Sequence, residues 1–352
     1  MRGRLPGLLC LLVAVLAAAG DWSMYMGNHY LTGNNDGVVP AELALSWKKT
    51  FPWRIYQAVS SDGLVFVAGH SRELVCLSLD SGDERWRCPL PFPVIRMPAV
   101  GGAWLFLASG RQLLCVNKWD GKVVWAQGSQ GFSQLASPVV EDGRVYYGSR
   151  GSFVARTAAT GRLLWESAGV MSYGASPVYS EGRLFLQHRD YSGMQYYMVC
   201  LSAKTGRELW RREIPRDANV FTPLVYRGSV YMVSADRIMA FAVADGAPGA
   251  VRRLPAAVAD SPALAGGLLL VPDTRGTLHL LHPDDLRTAA SYPHHRAGGN
   301  RIALVGNNLY LTDDTGTLLE LDRTSGRVRR RFASGIPATH LRPLIFRGRI
   351  LL

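Results

Sequence analysis

The sequence predicts an all-β fold, an eight-bladed β-propeller of four-stranded blades, on three observations. An eleven-residue phrase recurs at starts 76, 115, 155, 200, 240, 280 and 320. A second motif, Ser-Pro-Val followed by an acidic-Gly pair, alternates with it. Strand-like fragments remain at both ends of the chain, enough to close a last blade from N- and C-terminal strands. A period of ~40–45 residues written in short strands is the mark of a propeller blade.

The phrase reads small residue, six residues, Gly, three residues, Trp. It is nearly complete in Cys76 to Trp86, Cys115 to Trp125, Ala155 to Trp165 and Cys200 to Trp210. Worn copies begin at Ala240, Leu280 and Glu320, where Ala250, Ala290 and Arg330 stand in place of Trp. The Gly turns the third strand of a blade into the fourth. The Trp then covers the flank of the neighbouring blade, a burial that contributes about 2–3 kcal/mol per indole.

The alternating motif is clearest from Ser137 to Tyr147 and from Ser176 to Leu186. Two apolar runs meet at Asp142-Gly143 and at Glu181-Gly182, pairs that suit a tight hairpin because Gly reaches positive φ without a clash. The Pro that opens the first run is tolerated because that strand begins at the central channel. The first run is therefore the innermost strand.

At the ends, Leu43 to Thr50 carries Trp47 and reads as an isolated fourth strand, and Leu341 to Leu352 reads as strands one and two. The third strand of that last blade has to come from residues before Leu43. The expected domains are a leader over 1–20, an extended segment over 21–42 and the propeller over 43–352. The leader has Arg2 and Arg4, an apolar run from Leu8 to Leu16 and small residues from Ala17 to Gly20. That pattern is an export signal, and the run is short for a membrane span. Cys10 lies inside the run, so no lipidation cysteine is read.

The chain carries a formal charge of +12, which becomes +10 (12 − 2) without the two leader arginines. A basic exported protein favours protein partners of the cell envelope and an anionic surface, and export excludes nucleic acid. A soluble monomer with no transmembrane span is expected. Cys76, Cys115 and Cys200 share the small-residue slot that Ala155 and Ala240 fill elsewhere, so buried free thiols are expected. Only Cys76 and Cys88 lie close enough along a hairpin for a pairing to be considered.

Aligning the innermost strands places Tyr56, Arg96, Phe221, Asp260 and Asn300 at one step, with Arg301 and Arg342 in the next slot beside Met97, Ser137, Ser176, Thr222 and Ser261. These residues are the candidate rim of one channel mouth, positive except at Asp260. Converging polar groups over a concave mouth are the default binding site. A second candidate is the loop that lengthens one interval to 45 residues, with Tyr191, Met194, Tyr196 and Tyr197, a composition suited to protein contact.

Catalytic and metal chemistry is not legible. His279 and His282 are three apart on a strand and face opposite ways, which spoils a shared metal. His294-His295 has no Cys or Asp beside it. No phosphate cradle, nucleophile elbow or Ser/His/Asp ordering is present. Catalytic, cofactor and metal residues are therefore expected to be none.

The phrase and the Ser-Pro-Val strand, together with Asp21-Trp22 to Gly33 before them, resemble the repeat of the PQQ-binding-like β-propeller family across most of the chain. The resemblance implies the fold, and it implies one of two functions. One is a non-catalytic envelope scaffold similar to the BamB-like outer-membrane assembly branch. The other is a PQQ-dependent dehydrogenase, which holds its quinone against an adjacent cysteine pair with calcium beside it. The chain has no adjacent cysteines and hardly any loop length between strands, so the scaffold is expected and no cofactor with it.

Overall fold

The structure is a computed structural model that describes residues 7–13, 34–35, 44–128, 136–149, 151–170, 175–190, 194–215, 221–293, 302–305, 307–312, 317–323, 325–333, 344–346 and 349–351. All regular structure among them is β-strand. Seven blades follow one another along the chain at 55–89, 99–128, 139–168, 178–214, 224–253, 263–293 and 302–333, each an antiparallel meander of four strands. The short strand Asn34–Asn35 adds in parallel to the inner edge of the seventh.

The expectation of eight blades is corrected to seven. Seven sheets are complete blades, each cut from one uninterrupted stretch of chain. The remaining sheet is composite, ordered Ala44–Phe51, Gly7–Val13, Arg349–Leu351, Leu344–Phe346. Counted from the Leu344–Phe346 edge, its third strand is Gly7–Val13, which has none of the eleven-residue phrase and belongs to the stretch read as a leader. Without that strand, Ala44–Phe51 and Arg349–Leu351 have no neighbour in common. The repeat thus writes seven blades, and the terminal strands only fill the interval between the seventh and the first.

The expected turns are present. Asp62-Gly63, Asp142-Gly143, Glu181-Gly182 and Arg227-Gly228 all have both residues at positive φ, the type I′ geometry whose twist matches a hairpin. The innermost strands are shorter than the motif suggested: Ala99–Gly101, Val139–Glu141 and Val178–Ser180 each begin after the Pro. The missing amide of proline therefore removes no ladder hydrogen bond.

The indoles seal blade to blade. Trp86 donates its ring N–H to the Lys118 carbonyl of the next blade at 3.0 Å, Trp125 to Ala158 at 2.9 Å, Trp165 to Ala203 at 3.0 Å and Trp210 to Val243 at 3.0 Å. Trp47 does the same from the terminal sheet to Leu79 of the first blade, at 2.9 Å. Each ring lies on the turn glycine of the receiving blade, so a methyl group on Gly161 would sit 2.7 Å from Trp125. Gly161 has φ +68°, so its backbone and its missing side chain are both required there.

Two seals use other residues. Tyr292, two positions past the Ala290 slot, donates its hydroxyl to the Arg323 carbonyl at 2.9 Å and covers Gly326. Between the fifth and sixth blades the slot holds Ala250, and Leu286 replaces the turn glycine at φ +58°. Leu286 is fully buried in a cluster with Leu254 and Val258, with Ala250 packed against it. The core is the sum of such clusters between blades, each mixing the second and third strands of two neighbours.

Candidate functional site

The residues read as a channel rim lie in the innermost strand of the first blade or just before the innermost strands of later blades. Tyr56, Arg96, Phe221 and Asp260 are half-buried at the expected step. Tyr56 lies under the Arg54 guanidinium at 5.6 Å, with the His70 ring 6.1 Å away. Phe221 packs on the cluster between the fifth and sixth blades. Asp260 accepts the Ser261 amide at 2.7 Å. Asn300, Arg301 and Arg342 lie outside the described residues, so the positive rim is described only at Arg96.

The slot beside them does structural work. Met97, Ser137, Ser176, Thr222 and Ser261 are all buried. The Met97 amide donates to the Ser137 hydroxyl at 3.1 Å, the Ser176 amide to Thr222 at 3.3 Å, and the Thr222 amide to Ser261 at 3.0 Å. Each hydroxyl thus accepts the amide of the preceding blade's equivalent residue. These side chains satisfy backbone amides that would otherwise be buried without a partner, which is costly. The three hydroxyls thereby tie inner strands of neighbouring blades together.

The second candidate is a long hairpin. Arg183–Asp190 and Gln195–Ser202 have eight residues each, where the corresponding strands of the third blade have six. Tyr196 packs on the cluster of the fourth and fifth blades and Tyr197 on that of the third and fourth, so the two rings flank the sheet on opposite faces. The Arg189 guanidinium covers Tyr196 at 5.3 Å, and Arg211 covers Tyr197 at 5.1 Å, with His188 stacked at 6.0 Å. Met194 stands at the tip, 56% exposed at φ +54°, with its sulfur accepting from Arg189 at 3.7 Å. Tyr191 lies outside the described residues. The result is a lengthened hairpin whose two rings are held under arginines, with Met194 exposed beside them.

The cysteines follow the repeat. Cys76, Cys88, Cys115 and Cys200 are buried, and Cys76 and Cys88 stand unbridged in the structure. Burial pushes the thiols of Cys76, Cys115 and Cys200 up to about 12. Among the described residues no three His, Cys, Asp or Glu side chains gather to hold a metal ion. No helix among them is long and apolar enough to cross a membrane.

Sheets in a radial series, glycine turns under indoles and a repeat of about forty residues define a β-propeller of PQQ-like repeats. The chain belongs to the family described as outer membrane protein assembly factor BamB, whose model matches residues 34–172 and 158–301. None of the curated proteins matches the sequence. Among solved structures, BamB from Moraxella catarrhalis is similar with a TM-score of 0.68 and 18% identity, over 88% of this chain and 95% of that one. The quinohemoprotein alcohol dehydrogenase of Comamonas testosteroni is similar with a TM-score of 0.72 and 13% identity, over 90% of this chain and 73% of that one. The computationally designed Ika8 protein reaches 0.65 at 11% identity, over 88% of this chain and 98% of that one. At such identities these likenesses show the fold.

Proposed function

We propose that the chain is an exported, non-catalytic propeller that binds proteins of the cell envelope as a scaffold, with the long hairpin of the fourth blade as its contact. The observation that carries this reading is the hairpin itself, with Tyr196 and Tyr197 fixed under arginines and Met194 exposed at the apex. Ordering such rings in advance lowers the entropy lost on binding. The family supports the direction, because its description names an assembly factor of outer-membrane proteins. Export is part of the proposal and rests on the arginine-led apolar run from Leu8 to Leu16.

The competing reading is a quinone-dependent dehydrogenase, which the alcohol dehydrogenase neighbour keeps in view. The chain's five cysteines stand at 10, 76, 88, 115 and 200, so none is adjacent to another. The buried hydroxyls of Ser137, Thr222 and Ser261 each accept a backbone amide as well. A photoreactive residue at position 194, compared with one at the exposed Val251 on the fifth blade, tests the scaffold in intact cells. Adducts with envelope proteins at 194 and not at 251 support it. Equal adducts at both, or dye reduction after loading the purified protein with PQQ and calcium, overturn it. Recovery of a chain beginning at Asp21 from the periplasm tests export.

A further inference from the structure

The sixth blade carries a constellation that the channel and hairpin do not use. His279 and Ser291 are cross-strand partners on neighbouring strands Thr277–Leu281 and Thr288–Pro293. Ser291 Oγ lies 3.0 Å from His279 Nδ1, and His279 Nε2 lies 3.0 Å from Asp273 Oδ2. Asp273 is 2% exposed and His279 5% exposed, whereas Ser291 is exposed to solvent. The other Asp273 oxygen accepts the Arg275 amide at 2.9 Å and the Thr277 amide at 2.8 Å, which fixes the carboxylate.

The chemistry follows from that order. A carboxylate only accepts, so Nε2 carries the hydrogen and Nδ1 is left as the acceptor for the serine hydroxyl. An imidazole oriented by a buried carboxylate and hydrogen-bonded to an accessible hydroxyl is the arrangement that turns serine into a nucleophile.

We propose that Ser291 is an acyl-acceptor nucleophile, with His279 as its general base and Asp273 as the residue that positions the imidazole. The substrate class is an activated ester or thioester reaching the outer face of the sixth blade. Ser291 Oγ bonds to the carbonyl carbon while its proton passes to His279 Nδ1. The bond from that carbon to the alcohol or thiol breaks, and the leaving group takes the proton from Nδ1. Water then attacks acyl-Ser291 with His279 again taking a proton, which releases the carboxylic acid and restores the hydroxyl. The proposal leaves the fourth-blade contact of the scaffold reading intact and revises that reading in one respect, since it gives the sixth blade a hydrolytic activity.

The test treats the purified full-length chain with a fluorophosphonate probe, which bonds phosphorus to the serine oxygen and releases fluoride. The adduct is expected at Ser291, forming about a hundredfold faster than on the urea-unfolded chain. It is expected to vanish in Ser291→Ala and to form about tenfold or more slowly in Asp273→Asn and His279→Gln that melt like the natural chain. A lack of adduct, an adduct at another serine, or equal rates in the folded and unfolded chains overturns the proposal. Undiminished labelling of a folded His279→Gln overturns it as well. Where either variant fails to fold, the comparison of folded and unfolded natural chain decides.

Discussion

Leu286 and Ala250 hold, between the fifth and sixth blades, the reverse of the sizes that glycine and tryptophan hold between the first and second. Elsewhere a large ring from one blade lies on a glycine of the next. Here the preceding blade offers only Ala250, and the turn residue itself supplies the bulk from φ +58°. A left-handed leucine is strained by about 1–2 kcal/mol, and burial of its side chain offsets that.

Leu286→Gly should therefore destabilise the protein by about 2–4 kcal/mol, less than the strain-free loss of a buried leucine. Ala250→Trp alone should also destabilise, because the indole meets Leu286. The double variant should recover most of the loss. Urea unfolding of the four chains measures the coupling, and additive losses would show that the two residues do not share a space.

Gly143 and Gly161 both have φ +68°, yet only Gly161 lies under an indole. Gly143→Ala should cost about 1 kcal/mol, the backbone term alone. Gly161→Ala should cost about 2–4 kcal/mol, because the methyl group also displaces Trp125. In a Trp125→Ala background the two substitutions should become alike. Thermal or urea melts of these variants read the difference directly.

Acid should weaken the fold in a way traceable to Asp273. Burial acts to raise its carboxyl, and the Thr277 amide, the His279 ring and the Arg275 amide together more than offset that and hold it below the ordinary value. Asp322 is held lower still, at about 2, by the Ser325 amide first and then by the Arg329 side chain. A carboxyl depressed in the folded state stabilises above its unfolded value of about 3.9, and that contribution fades as pH falls through the folded value. Melting temperatures from pH 5 down to about 2.5 should decline, and Asp273→Asn should flatten the decline.

The thiols of Cys76, Cys115 and Cys200, pushed to about 12, and that of Cys88, also raised by burial, should resist alkylation while the chain is folded. Iodoacetamide at pH ~8 should modify these four only as the protein unfolds, because the thiolate is the reactive form. Mass spectrometry of peptides after timed exposure follows each one. Rapid alkylation of Cys76 in the native chain would contradict its burial in the first blade.

Much of this fold was written where one residue type answers one local need. Acidic-Gly pairs marked type I′ turns, and Trp with Gly marked the seals, because positive φ and a flat partner narrow the choice to very few residues. Leu286 escaped notice because it fills the glycine slot of a worn copy, and Tyr292 because it stands two positions past the Trp slot, so each role shows only when two blades are brought together. The blade count failed at Gly7–Val13, where an apolar run serves equally as a leader or as a strand. The rim alignment compared the residues ahead of each inner strand by chain spacing alone. It could not reveal that Ser137, Thr222 and Ser261 are engaged by amides of the preceding blades. Asp273, His279 and Ser291 carry no motif, since their meeting depends on the register of a single hairpin.

Six seals among the described residues run in one direction, with the donor ring on one blade and the accepting carbonyl on its successor. Gene segments encoding one Trp-and-Gly blade can therefore be exchanged or duplicated with their fit preserved at both flanks. The fifth and sixth blades are the exception. Because their shapes are inverted as a pair, recombination that separates them would leave either a hole or a collision, so they must be inherited together.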